Sequence, residues 1–387
     1  MSEIPEDGNN SAQEPKSSSQ QQPTAKDKKP PKLPLAQKRA VEPGKDKPVQ
    51  PPDKADFQSQ QIDLFRGFVC NGSDERARLS NTLDLWDSVP RYSVSRQAMD
   101  KMRKAGTFPQ LLGIPFHYRG RELKAVIQPA WIQGKDDDIK GYYPSANEEL
   151  IEDALRKIAA VQDRGYFDKA GYRSGVVFTL YMLREELKKR GHTRSYQEIV
   201  LSLRILARST IEISATDGKD GEGFTINPYF SGLSAASRGK LSEDPDAKWI
   251  VQFHPLVTQA IDVLKYRQFN YAQMMGHCTQ LARWLHKQLS LKFTFASLMT
   301  SFEMRYSTVK RDSALLEGYA QQRQAIAALD AAFAELKASG VLMIVSKAEV
   351  RGLRSKLEDV VYTLTASLDF IAQTKAANKR QNVIEGK

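Results

Sequence analysis

Apolar and polar positions fall into regular periods only after the first sixty or so residues. "IPFHYRGRELKAVIQPAWI" (Ile114 to Ile132) reads as two strands about an Arg-Gly turn. "PSANEELIEDALRKIAAVQD" follows with Leu150, Ala154, Leu155 and Ile158 on one stripe, and Ser145 and Glu148 at capping-box spacing. That pattern predicts a helix from Ala146 to Asp163.

The next stretch, from Val176 to Phe230, reads as a short strand, a helix to Lys189, a turn at Gly191 and a second helix opened by a Ser195–Glu198 capping box. A strand "TIEISAT", a glycine-rich tip at Gly218 to Gly223 and a returning strand "FTINPYF" complete it. Helix, turn, helix and hairpin in that order describe a winged helix. About 115 residues later the order recurs. A strand "FTF", a helix, a longer break, a long helix to Ala338, a stop at Gly340 and the strand "VLMIV" are followed by "EDVVYTLTAS". The predicted wing tip, Lys347 to Lys356, is basic. Two amphipathic stretches, "HPLVTQAIDVLKYRQF" and "YAQMMGHCTQLARWLHKQL", join the copies. The expected fold is α+β and helix-rich: two tandem winged-helix domains, 83–256 and 257–372, behind a disordered tail over 1–58 and before a basic disordered C-terminus over 373–387.

Composition sharpens this picture. The chain has 387 residues, 41 % of them hydrophobic, which suffices for two or three cores. Ten of its eighteen prolines fall within the first 52 residues, in a segment too poor in apolar surface to offset its chain entropy. To residue 56 the charge is nearly balanced, ten basic against nine acidic side chains. The net charge of +11 therefore resides on the later domains, and it calls for an acidic partner. No run of some 18 apolar residues and no signal-peptide pattern occurs, so a cytoplasmic location is expected. Cys70 and Cys278 alone cannot form a disulfide framework or a four-cysteine zinc site.

On a helical wheel the Ser195 helix places Ile199, Leu203 and Leu206 on one side and Gln197, Arg204 and Arg208 on the other, with Leu201 beside them. A recognition helix needs this division, since Arg pairs bidentately with guanine or phosphate while the other face anchors the helix. Arg194 can reach a phosphate. A solvated helix face is the plainer alternative. In the second copy Ile326, Leu329, Phe333 and Leu336 set the buried face, leaving Gln321, Gln324, Ala328, Ala331 and Glu335 opposite and Arg323 to one side. That face suits bases, or equally helix–helix packing. Lys310 and Arg311, in the turn before it, and Lys347, Arg351, Arg354 and Lys356 of the wing suit phosphates.

Signs of catalysis are missing. His117, His192, His254, His277 and His286 never fall at a metal or nucleophile spacing, and no phosphate-loop motif occurs. "GKDGEG" is explained as a hairpin tip, and Asp136, Asp137 and Asp138 as a solvated loop. Neither enzyme activity nor any cofactor or metal is expected.

The ordered pieces "QIDLF", "FTLYMLREEL", "KYRQFNYAQMMGHCTQLARWLHKQL" and "AELKASGVL" resemble the TrfA-type initiators of broad-host-range plasmid replication, over about Gln61 to Ala366. The resemblance implies two winged-helix domains that grip origin repeats (iterons) in double-stranded DNA, open adjacent AT-rich DNA and recruit host proteins. The replicative helicase and the host initiator are among the implied partners, and a homodimer is allowed. It also implies that Gln61, Ile62, Asp63, Leu64 and Phe65, within residues 59–68, dock on the bacterial sliding clamp. Read alone, that cluster would simply start the first core. A transcriptional repressor of the same fold is the alternative; a rolling-circle nickase would need a His-apolar-His pair that the sequence lacks. The segment "RYSTVKRDSALLEGYA" is longer than the family pattern.

Overall fold

The structure, a computed structural model, describes residues 77–385 apart from 135–137, 162–163, 216–222, 238, 242 and 264. The expected tail over 1–58 and the clamp-like peptide over 59–68 lie outside the described residues. The chain opens with β1 (Leu79–Leu83), a 3-10 turn at Trp86–Ser88, α1 (Arg96–Lys104), the hairpin β2 (Leu112–Tyr118) and β3 (Arg121–Gln128), and the ribbon β4 (Ala130–Gln133) and β5 (Ile139–Tyr142). Then come α2 (Ala146–Val161), β6 (Gly165–Asp168), β7 (Arg173–Thr179), α3 (Leu180–Lys189), α4 (Tyr196–Arg208), β8 (Thr210–Ala215), β9 (Phe224–Pro228), β10 (Phe230–Ala236) and β11 (Lys248–Phe253). A connector of α5 (Pro255–Asp262), β12 (Tyr266–Asn270) and α6 (Tyr271–Met275) leads to α7 (Gln280–Lys292), β13 (Ser301–Arg305), α8 (Tyr306–Ser313), α9 (Gln322–Ala338), β14 (Leu342–Arg351), β15 (Leu357–Ala366) and α10 (Leu368–Glu385). Among the described residues this is a mixed α+β fold of ten helices and five small sheets.

Local chemistry sets the element ends. Arg119 (φ 50°) and Gly120 (φ 80°) are both left-handed, the backbone that a two-residue hairpin between twisted strands demands. Thr179 caps α3 by accepting from the Met182 amide at 3.2 Å. The Ser195–Glu198 capping box opens α4. Gly191 (φ 85°) and Gly340 (φ 76°) stop α3 and α9.

One run of elements occurs twice. α2, β7, α3, α4, β10 and β11 are matched by α7, β13, α8, α9, β14 and β15, and the two sheets share one order, β7–β11–β10 and β13–β15–β14. Each copy has its own core, the first around Leu155, Leu183, Leu203 and Phe178, the second around Leu285, Leu329, Phe333 and Leu364.

Four expectations need correction. The hairpin that closes the first sheet is β10–β11; β8–β9 is an extra hairpin that pairs through β8 with β3, where Ile211 and Ile213 are buried. "FTF" is not a strand: α7 runs to Lys292, Phe293 is buried among Phe295, Phe302 and Phe370, and the strand begins at Ser301. Lys310 and Arg311 sit in the helix α8, not in a turn. The C-terminus to residue 385 is helical, because α10 buries Phe370, Ile371 and Ala377 beside β12.

The copies are joined through polar groups. β1 pairs with the connector strand β12. Across the seam, the charged side of α2 is buried: Glu149, Glu152, Asp153, Arg156 and Lys157 are each at most 5 % exposed. Lys287 of α7 donates to Glu149 at 3.2 Å and to Asp153 at 2.6 Å, and Gln288 Nε2 donates to the Asp87 carbonyl at 3.0 Å. Asp87 receives both Arg156 nitrogens at 2.9 Å, and Glu152 receives Trp86 Nε1 and Arg91. Burial alone would raise the Asp87 carboxyl, but Arg156, Lys287 and Arg91 outweigh it and hold it well below the usual carboxylate range.

Candidate nucleic-acid interface

Helix α4 divides as its sequence pattern requires. Ile199, Leu203 and Leu206 are fully buried, whereas Gln197, Arg204 and Arg208 are exposed. Arg204 makes no ion pair or hydrogen bond among the described residues, and Arg208 reaches only the Trp131 carbonyl, at 3.4 Å. Leu201 is half-buried, because the ribbon β4–β5 lies against α4 and packs Ala130, Ile132 and Tyr142 on Leu201 and Ile205. That ribbon exposes Trp131 (46 %) beside Arg208, an aromatic surface that the sequence reading did not single out. Only its "PAWIQ" context, a Trp outside an apolar stripe, could have pointed to it. Arg194 is more committed: its guanidinium donates to Asn147 Oδ1 at 2.8 and 3.2 Å and to the Thr193 carbonyl.

The second copy is more restrained electrically. Gln321, Arg323 and Gln324 are exposed at the start of α9, with Arg323 Nε donating to Gln321 Oε1 at 2.7 Å. Ala331 is exposed and Ala328 half-buried. Glu335 is a structural group: its carboxylate accepts from the Cys278 and Thr279 amides and so caps α7. Lys310 pairs with Glu317 at 3.6 Å and Arg311 with Asp312 at 2.7 Å, so both cations of α8 already have acids. On the hairpin β14–β15, Lys347 pairs with Asp330 and Arg351 with Glu349. Arg354 and Lys356, at its tip, are exposed and carry no ion pair among the described residues. Arg354 (φ 58°) and Ser355 (φ 56°) hold the tip in a tight left-handed turn.

Two of the histidines meet in the interior. His277 Nε2 and His286 Nδ1 lie 2.9 Å apart in the core, a contact that their places in the sequence do not suggest. They hydrogen-bond each other, and no group of three or more potential metal ligands occurs among the described residues. Of the acidic run, Asp136 and Asp137 lie outside the described residues, and Asp138 pairs with Lys140 at 2.9 Å. Among the described residues, no helix is long and apolar enough to cross a membrane.

No protein-family model matches the chain, and no curated protein matches it. Among solved structures it is similar to domains 2 and 3 of RctB in two crystal structures. The selenomethionine form has 9 % identity and a TM-score of 0.43 over 67 % of this chain and 91 % of that one. The other has 12 % identity and a TM-score of 0.40 over 70 % and 95 %. The chain is also similar to the Pi initiator protein in complex with iteron DNA, at 10 % identity and a TM-score of 0.33 over 76 % of this chain and 99 % of that one.

Proposed function

We propose that this chain is a replication initiator that binds repeated origin sites in double-stranded DNA through two winged-helix modules. The observation that carries the reading is the repeated run of elements, in which the third helix of each copy buries one face and turns an uncompensated polar face outward. In α4 that face is Gln197, Arg204 and Arg208; in α9 it is Gln321, Arg323 and Gln324. An α-helix presenting Arg and Gln from a packed scaffold suits the donor and acceptor code of the major groove, while Arg354 and Lys356 at the hairpin tip suit adjacent phosphates. Opening of neighbouring AT-rich DNA, and docking of Gln61, Ile62, Asp63, Leu64 and Phe65 on the sliding clamp, belong to the same reading.

The test starts by footprinting the protein on DNA around its own gene. With the protected site in hand, Arg204→Ala and Arg208→Ala should each weaken specific binding by about 1–3 kcal/mol in mobility-shift titrations at fixed salt. Unchanged affinity removes α4 from the interface. Leu64→Ala with Phe65→Ala should abolish clamp binding and plasmid maintenance while leaving the footprint intact; if maintenance survives, the chain acts as a repressor of the same fold.

A further inference from the structure

Where the two copies meet, the turn between β2 and β3, the start of β12 and the C-terminal end of α7 enclose an open cavity of about 580 Å³. Its wall carries four cations, Arg119, Lys265, Arg267 and Lys292, and a single carboxylate, Asp84. That carboxylate is taken: it accepts from the Tyr118 hydroxyl at 2.8 Å and pairs with Arg119. Lys265, Arg267 and Lys292 have no ion pair among the described residues, in contrast to Arg91, Arg156 and Lys287 in the adjoining seam. Arg267 donates to the Thr374 carbonyl at 3.2 Å and otherwise faces the cavity uncompensated. Burial draws its half-buried guanidinium down to about 10, while Lys265 and Lys292 are exposed. His117 adds a polar atom in want of a partner. Its Nδ1 is shut off from water and makes no hydrogen bond, while its amide donates to Asp312.

Arg267 is half-buried without a carboxylate beside it, and Lys265 and Lys292 are exposed on the same wall, so an anion there would gain a partly desolvated guanidinium and two free ammoniums. A concave wall with an excess of one sign of charge also concentrates such an anion. Phosphate fits the donor set best, because a planar guanidinium and two point-charged ammoniums from separate elements match a group with charge spread over several oxygens. We propose that this cavity is a phosphate-binding site, distinct from the faces of α4 and α9. Its phosphate belongs either to the backbone of bound DNA or to a free phosphate ester.

Titration calorimetry of the full chain with inorganic pyrophosphate, in magnesium-free buffer at constant ionic strength, tests it. Saturable one-to-one binding is expected. Lys265→Ala with Lys292→Ala should weaken it roughly ten-fold or more, and Lys265→Arg with Lys292→Arg should retain it. Neither lysine side chain makes a hydrogen bond or ion pair among the described residues, and both are exposed, so an unchanged melting temperature should accompany the loss. Absence of saturable binding, or equal affinity in the alanine variant, overturns the proposal. Repeating the titration with a saturating short duplex of unrelated sequence identifies the source: competition assigns the site to backbone phosphate, and simultaneous binding assigns it to a free ester. A chain that binds pyrophosphate but no duplex would keep this site and lose the DNA-binding function.

Discussion

Replacing Lys287 by methionine should destabilise the protein by about 3–5 kcal/mol, a large share of the ~5–15 kcal/mol typical of a folded chain. The ammonium is 3 % exposed and bridges Glu149 and Asp153, which lie on the other copy of the repeated run. Burial works against its charge, and Asp153 and Glu149 outweigh that effect. Methionine keeps the length and the apolar stem but leaves two carboxylates in the seam with less positive charge; Arg156 still reaches Asp153, so Glu149 bears most of the loss. Urea unfolding of the wild type should be a single transition, and that of the variant should begin earlier and separate into two. Adding Glu149→Gln and Asp153→Asn to Lys287→Met should recover most of the stability, since no charge is then left unpaired. A Lys287→Met variant within about 1 kcal/mol of the wild type would show the seam to be solvated in solution.

That seam also marks how far the sequence can be read. The helices opened by Ser145 and Ser195, the Arg119-Gly120 turn and the outward side of α4 depend on residues within a turn or two of each other, and those were legible. The charged side of α2 was not: Asp153 and Arg156 look solvated until Lys287, 134 residues beyond Asp153, and Asp87 are brought to them. Strand pairing failed for the same reason. Ile211 and Ile213 alternate as a half-buried strand should, and nothing in that alternation chooses β3 over β7 as the partner. The aromatic run at Phe293 carries strand propensity, but burying Phe293 at the end of α7 prevails over it. In the candidate interface, wheel geometry correctly set Arg204 and Arg208 outward, whereas the acids that occupy Lys310, Arg311, Lys347 and Arg351 include some from distant elements, as Asp330 is for Lys347.

Acidification from pH 7 to pH 5 should remove several kcal/mol of stability, chiefly through three buried histidines, with the half-buried His192, also lowered by burial, acting in the same direction. His254, stacked on Trp86 at 4.3 Å, is pushed down to about 3 by burial and then by Arg91, against Glu152. His277 is pushed down to about 4 by burial, with Glu335 opposing and Arg283 assisting. Its partner His286 is pushed well below the ordinary value by burial, His277 and Lys287. In the unfolded chain each titrates near 6.5. Below that pH the unfolded state therefore binds protons that the folded state refuses, so stability is fully present above about 6.5 and falls as pH drops. At about 1.4 kcal/mol per pH unit, His254 and His277 each account for roughly 2 kcal/mol at pH 5, and His286 acts in the same direction. Glu152, held to about 2 by Arg91 and Arg156 against its burial, weakens the fold only once unfolded glutamates protonate, near 4.5 and below. The interval from 6.5 to 5 thus belongs to the histidines. His254→Asn tests the assignment, because asparagine can still accept from the Leu256 amide at the start of α5, as His254 Nδ1 does at 3.1 Å, but cannot titrate. Urea melts across this interval should lose roughly 2 kcal/mol of their pH dependence in that variant. A wild-type stability that stays flat from pH 7 to pH 5 would mean that these imidazoles reach water in the folded protein.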